Sequence, residues 1–437
     1  MKVDLRERAV RKTMTLRTAG PFQIEALIGL LFLTQVLTCP AQEWTRFRGP
    51  NGSGISEVKT IPTTWTEKDF NWKTPLPGAG HSSPVLWGDK IFLTTGDDQA
   101  GQFDALCLST ADGRVLWQKA FPFARYPKHN NNSFASSTPA VDGQRVYVCW
   151  SVPNRYTLMA LDHRGEKVWE KDLGPFVSQH GNGSSPILFN DSVILANEQD
   201  GESFLIAVDA ATGETRWKTP RKTAETAYST PCIYQPKEGK PALIFNSHAH
   251  GISALDPEKG QVLWEFAKAF DKRSVSSPLV AAGMIIGSCG SGGGGNYVVA
   301  VRPGDLATGR KAELAYSIRR SASYVPTSIC VGEHLFLWGD GGIVSCVQAA
   351  TGEVKWQERV GGDFFGSPVC VDGRLFCVST RGDVVVVEAS DHFQVLARNP
   401  LGELTHSTPA VAGGRMYIHT TKHLISVGGG KEVGAKE

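Results

Sequence analysis

Ala207-Val208-Asp209-Ala210-Ala211-Thr212-Gly213-Glu214-Thr215-Arg216-Trp217 reads as an apolar alternating strand, a tight turn and a second strand carrying a tryptophan. Gly213 stands where such a turn needs a positive φ. The same pattern, Gly followed four residues later by Trp, occurs at Gly113/Trp117, Gly165/Trp169, Gly260/Trp264 and Gly352/Trp356. Recurrence at a fixed spacing outranks local propensity in deciding a fold.

A second marker runs in step with the first. A small hydroxyl or apolar residue precedes proline and then an apolar run at Ser83-Pro84, Thr138-Pro139, Ser185-Pro186, Thr230-Pro231, Ser277-Pro278, Val325-Pro326, Ser367-Pro368 and Thr408-Pro409, with successive prolines 41 to 55 residues apart. Behind most of them a short turn such as Asp142-Gly143 or Asp372-Gly373 separates two apolar runs, which is the signature of a β-hairpin. Proline is tolerated at the start of a strand, before a ladder donor is required. Two hairpins per unit predict four strands, the anatomy of a propeller blade.

The fold predicted is therefore all-β, a single eight-bladed β-propeller of four-stranded blades. Its eighth unit, from Thr408-Pro409 to Ile425-Ser426-Val427, supplies only three strands, while Phe70-Asn71-Trp72 forms an orphan strand ahead of the first marker. Pairing the two would close the ring and remove the exposed edges of a linear array. Trp72, Trp117, Trp169, Trp217, Trp264 and Trp356 are expected to dock each blade on its neighbour. A buried indole removes roughly 150–250 Å² from water, on the order of 4–6 kcal/mol per blade as an upper bound. Two units depart from the pattern: one carries the insert Arg302-Pro303-Gly304-Asp305 with Tyr316 in place of Trp, the other has His392 for Gly and Leu396 for Trp. Looser docking is expected there.

The 437 residues include 47 Gly and 24 Pro, a balance that suits many short strands and turns. Residues 1–41 read as an export leader. A basic stretch (Lys2, Arg6, Arg8, Arg11, Lys12, Arg17) precedes the apolar run Ala26 to Leu37, too short to span a bilayer comfortably, and Cys39 and Ala41 place small residues for cleavage after Ala41. Met14 is an alternative start, leaving a leader of more usual length. A second reading lipidates Cys39, the one route to a membrane. The mature protein is expected to be periplasmic or extracellular, with the propeller over residues 42–428 and a polar tail over 429–437.

Without the leader, 39 basic side chains face 40 acidic ones. That balance argues against nucleic acid as a partner. Eight cysteines remain, Cys107, Cys149, Cys232, Cys289, Cys330, Cys346, Cys370 and Cys377. None forms a CxxC pair, most lie in apolar alternating runs, and no pairing can be deduced from their spacing.

The Ala-x-Asp-x-x-Thr-Gly-x-x-x-Trp unit resembles the PQQ-like propeller repeat, shared by quinoprotein alcohol dehydrogenases and BamB-like outer-membrane assembly lipoproteins. The opening Trp44-Thr45-Arg46-Phe47-Arg48-Gly49-Pro50-Asn51-Gly52-Ser53-Gly54 is similar to the start of exported PQQ-like repeat proteins of planctomycetes and their relatives. The resemblance covers roughly residues 44–428 and specifies fold rather than function. Its enzyme members imply pyrroloquinoline quinone, a calcium ion, a catalytic Asp and an adjacent Cys-Cys disulfide. No adjacent cysteines occur in this chain, and no catalytic Asp aligns. Its BamB-like members imply a partner-binding surface.

In a propeller, the loop entering each innermost strand lies at the mouth of the central channel. These loops precede the marker prolines and hold His81, His129, Asn131, His180, Asn182, Tyr228, Arg273, Tyr324, Asp363 and His406, a polar funnel suited to a ligand. His81 and His406, from adjoining units, are the pair best placed for acid–base or metal chemistry, but no third ligand at a defined spacing marks a metal site. The glycine-rich Gly290 to Asn296 segment, with no phosphate-loop Lys-Ser/Thr after it, reads as a loop between strands. Three functional readings follow. The first is a monomeric, non-enzymatic exported propeller binding or scaffolding a protein or polysaccharide partner. The alternative is a calcium- and quinone-dependent alcohol dehydrogenase, and the third a cofactor-free hydrolase or lyase using the funnel histidines.

Overall fold

The computed structural model describes residues 44–429. The leader, with Cys39 and the cleavage site, and the tail from residue 430 onward lie outside the described residues. Eight sheets surround a central channel. Blade 1 runs from Val85–Trp87 out to Val115–Pro122, blade 2 from Ala140–Val141 to Lys167–Asp172, blade 3 from Ile187–Phe189 to Thr215–Arg221 and blade 4 from Cys232–Tyr234 to Val262–Phe266. Blade 5 runs from Leu279–Ala281 to Glu313–Ile318, blade 6 from Ile329–Val331 to Val354–Arg359 and blade 7 from Val369–Val371 to Val395–Pro400. Within each blade the four strands pair antiparallel in chain order.

Blade 8 is built from both ends of the propeller. Ala410–Ala412, Arg415–His419 and His423–Gly428 form its inner three strands, and Phe70–Pro75 adds the outer one. The pairing is antiparallel, from Phe70 opposite Val427 to Pro75 opposite His423, with a bulge between Phe70 and Trp72. The expected closure is thus the observed one.

The tryptophans join blades as expected, and the structure explains the glycine four residues before each. The Trp169 indole N–H donates to Ala210 O at 3.0 Å on blade 3, and its ring lies over Gly213, where a Cβ would stand 2.7 Å from the ring. Gly213 therefore answers two demands, a φ of +75° and a flat surface for the neighbouring indole. Trp72, Trp117, Trp217 and Trp356 donate likewise to Thr110, His163, Pro257 and Ser390 of the next blade. Trp264 packs in the cluster that holds Val301 of blade 5.

The two divergent units are not left loose. Tyr316 takes the tryptophan's place, its hydroxyl donating to Ala349 O at 2.7 Å and its ring lying over Gly352. Within the insert, Gly304 rather than Gly309 meets Trp264. At the junction of blades 7 and 8, where Leu396 is small, Trp65 from the N-terminal segment fills the cluster with Phe376 and Val411. The expectation of looser docking is corrected: other aromatic groups cover the same apolar surface.

A ring of hydroxyls explains the residue before each marker proline. Backbone N–H groups donate from Ser83 to Thr138 Oγ1, Thr138 to Ser185 Oγ, Thr230 to Ser277 Oγ, Ser277 to Thr327 Oγ1, Thr327 to Ser367 Oγ, Ser367 to Thr408 Oγ1 and Thr408 back to Ser83 Oγ, at 2.9 to 3.3 Å. The sixth marker is corrected here. Thr327-Ser328, not Val325-Pro326, immediately precedes the inner strand Ile329–Val331 and makes these bonds. The physical requirement shared by these units is the hydroxyl, not the proline.

Candidate functional site: a channel closed at one end

Strands alternate in direction, so two sets of loops share the mouth of the channel: those entering each inner strand, and those joining the second strand to the third. Together they surround a cavity of about 920 Å³. His81, His129, Asn131, His180, Tyr228, Arg273, Tyr324, Asp363 and His406 all line it. Asn182 does not. It is buried, with its carbonyl accepting from Asn132 Nδ2 at 3.1 Å, so Asn132 faces the cavity in its stead. Ser291, Asn296, Asp340 and Thr380 also line it, from the second set of loops. The Gly290 to Asn296 segment is a loop between strands as read, yet part of the wall. The strand alternation alone would have pointed to this second set.

The other end is sealed by the N-terminal segment. Trp44 bridges to Leu86 of blade 1, and Thr45 O accepts from Val141 N of blade 2. Arg46 donates to Pro231 O and Asn51 exchanges two hydrogen bonds with Ile233, both on blade 4. Ile55–Ser56 then pairs parallel with Cys370 and Val371 of blade 7. The chain thereby crosses beneath the channel from blades 1 and 2 to blade 7. A turn at residues 46–49, closed by Gly49 N–H to Arg46 O at 2.9 Å, presents Phe47 as a cavity-lining residue. Arg46 and Arg48 on either side of it are buried, 6% and 0% exposed. Nothing in the charge balance of the chain hinted at this; only the tertiary path puts these cations under the channel.

The mouth histidines form two pairs. His81 and His406 lie with ring centroids 4.5 Å apart, and Phe365 meets His406 edge-on at 4.9 Å. His129 and His180 stack at 5.0 Å. Burial holds His81 well below the usual imidazole range, and His406 is lowered for the same reason. Burial, then Arg273, lowers His180, and Arg273 Nη1 donates to His180 Nε2 at 3.3 Å. Behind the first pair, His419 is buried, donates from Nδ1 to Ser82 O at 2.7 Å and is pushed down to about 4 by burial. With their pKa values lowered, His81, His180, His406 and His419 are neutral at pH 7 and able to donate or accept hydrogen bonds.

The residues present do not fit a quinone–calcium pair. Among the described residues no three His, Cys, Asp or Glu side chains converge as a metal-binding group. Of the two cavity acids, Asp340 already accepts the N–H groups of Tyr324 and Val325 at 2.8 and 3.0 Å, and burial raises its pKa. A hard divalent cation needs several convergent oxygen ligands. The eight described cysteines are unpaired thiols, seven of them buried, so a stacked disulfide has no counterpart here.

Solved structures with the same architecture include BamB from Moraxella catarrhalis (14% identity, TM-score 0.60, covering 87% of this chain and all of that one). Quinohemoprotein alcohol dehydrogenase from Comamonas testosteroni is also similar (13% identity, TM-score 0.63, covering 91% of this chain and 82% of that one). At such identities the likeness is one of fold. Among curated proteins, outer membrane protein assembly factor BamB from Yersinia pestis is 24% identical over 58% of this chain and 65% of its own length. The protein of that name from Moranella endobia is 23% identical over 51% of this chain and 59% of its own length. The chain thus spans less than two thirds of these relatives. Residues 105–312 and 319–433 match the protein family described as outer membrane protein assembly factor BamB, and the chain belongs to that family of PQQ-type repeat propellers.

Proposed function

We propose that the chain is an exported, non-enzymatic binding propeller that holds a protein partner at its cavity-bearing mouth. The observation that carries this reading is the one-ended cavity, whose wall offers imidazoles, amides, hydroxyls, one guanidinium and two separate carboxylates but no assembled nucleophile, base or metal set. Its rim is braced by hydrogen bonds that tie seven of the eight inner-strand entries to the next. Such a surface suits recognition more than turnover. The relatives described as outer membrane protein assembly factors support a protein partner over a polysaccharide. They also support export, in line with the leader read over residues 1–41.

The test is site-specific photo-cross-linking in the cell envelope. A photoreactive residue replacing Tyr228 at the mouth should capture one discrete protein. The same group replacing Val354, exposed on the outer strand of blade 6, should not. Equal capture at both positions, or none at the mouth, would overturn the reading. Stoichiometric uptake of pyrroloquinoline quinone with calcium, accompanied by dye-linked alcohol oxidation, would replace it with the dehydrogenase alternative.

A further inference from the structure

We propose that Arg273, with Tyr228 and Tyr324 on the cavity wall, anchors a binding site for a single carboxylate carried on an uncharged body. The site goes beyond the reading of a protein partner at the mouth and does not depend on one.

The first observation is the state of the guanidinium. Arg273 is the one lysine or arginine among the described residues that lines the cavity. Its Nη1 donates to His180 Nε2 at 3.3 Å, a contact that holds the fork in place. No carbonyl or carboxylate among the described residues accepts from Nη2 within hydrogen-bond distance. The one acid in ion-pair range is Glu225, 3.9 Å from Nη2, half-exposed and outside the cavity lining. At that separation and exposure the attraction is weak and screened by water and salt. A largely buried guanidinium thus reaches the cavity with donors to spare.

The second observation is what surrounds it. Tyr228 and Tyr324 come from the entry loops of blades 4 and 6, on either side of the blade 5 loop that carries Arg273. Both hydroxyls are close enough to feel the cation: burial raises them, and Arg273 opposes the rise. Their rings are seated on glycine. A Cβ at Gly183 would stand 3.0 Å from Tyr228 Cδ1, and one at Gly290 would stand 3.0 Å from Tyr324 Cδ2. Gly290 is also tied to Arg273 itself, its N–H donating to Arg273 O at 3.0 Å. The glycine loop that begins there lines the cavity through Gly292 and Gly294, which have no side chain to cover the guanidinium. Asp340 is engaged elsewhere, its two oxygens accepting the N–H groups of Tyr324 and Val325.

These features select a ligand by charge and shape. A guanidinium with unused donors matches a planar carboxylate, and the flanking tyrosine hydroxyls can donate to the same group. One carboxylate balances one guanidinium, whereas a phosphoryl dianion would add uncompensated charge with Glu225 already 3.9 Å from Nη2. The rest of the ligand would meet rings: His180 stacked on His129 beside Arg273, and Phe365 and Phe47 elsewhere on the wall. Such a lining favours an uncharged, planar or apolar body.

Isothermal titration of the mature chain in a low-salt zwitterionic buffer tests the site. The titrants are hippurate and hippuramide, acetyl-alanyl-alanyl-phenylalanine and its amide, and inorganic phosphate. The expected result is saturable binding of an acid, one per chain, at least tenfold tighter than its amide or phosphate. Tighter binding of hippurate assigns the site to a free organic acid, and tighter binding of the peptide acid assigns it to a chain end. Arg273→Gln should weaken the acids at least tenfold. Arg164→Gln, an exposed cation on a turn of blade 2, should not. Should Arg273→Gln fail to fold, Tyr324→Phe keeps the ring on Gly290, removes the hydroxyl and should weaken the acids several-fold. The proposal is overturned if neither acid saturates, if acid and amide bind alike, or if phosphate binds as tightly as the acids. Folded Arg273 and Tyr324 variants that bind the acids unchanged would overturn it too. Cross-linking at the mouth is a separate measurement, so the two readings fail separately.

Discussion

His419 shows how a single buried side chain sets a property of the whole ring. Its Nδ1–H satisfies Ser82 O across the seam between blades 8 and 1, and its Nε2 has no partner. A proton added at Nε2 would be buried without an acceptor, beside His81 and His406 on the same seam. Because the folded pKa is depressed from 6.5 to about 4, the unfolded chain binds the proton first as pH falls. Stability is full above pH 6.5 and declines through pH 4, by up to about 3 kcal/mol from this group. His419→Asn keeps a donor near Nδ1 and cannot titrate, so its denaturant midpoint should change less between pH 7 and 4 than that of the parent. An equally steep loss would assign the acid sensitivity elsewhere. Gly213→Ala is the complementary prediction for the repeat glycine. The new methyl meets the Trp169 ring at a φ of +75°, and a loss of about 1–3 kcal/mol in urea unfolding is expected. A neutral result would mean that the indole face is not tightly seated. The role of Gly213 in the turn was legible in the sequence, whereas the indole over it belongs to another blade and was not.

At the scale of the element, the strand Phe70–Pro75 matters most, because it is the farthest in sequence from its partner, His423–Gly428. It completes blade 8 and also carries Trp72, whose indole donates to Thr110 on blade 1. Removing residues 42–75 takes away a full ladder, the closing indole and the Trp65 cover over blades 7 and 8 together. The melting midpoint should fall by roughly 10 °C or more, and an unchanged melting curve would contradict the shared blade. This closure could be read from counting strands, since a unit with three strands and a strand without a unit have one economical solution. The role of Ile55–Ser56 as a fifth strand on blade 7 could not. Two residues carry too little pattern to announce pairing with a strand more than three hundred residues away.

For the whole molecule, the propeller is a ring of neighbouring contacts with a crossing segment beneath it, and its mouth gathers loops that are scattered along the chain. Repeat spacing, the Gly–Trp pair and the hydroxyl before the inner strand were enough to specify eight blades and their closure, because each is a nearest-neighbour requirement repeated in every unit. The same pattern placed nine of ten proposed mouth residues at the cavity, since the direction of each strand dictates which loops face together. Asn182 differed because facing inward or outward within a loop depends on local hydrogen bonds rather than on topology. The blocked end of the channel, with Phe47 between two buried arginines, was decided only by the tertiary path of the N-terminal segment. Its hydrogen bonds are to backbone carbonyls and amides of four blades, groups that every residue carries and that leave no mark in the order of side chains.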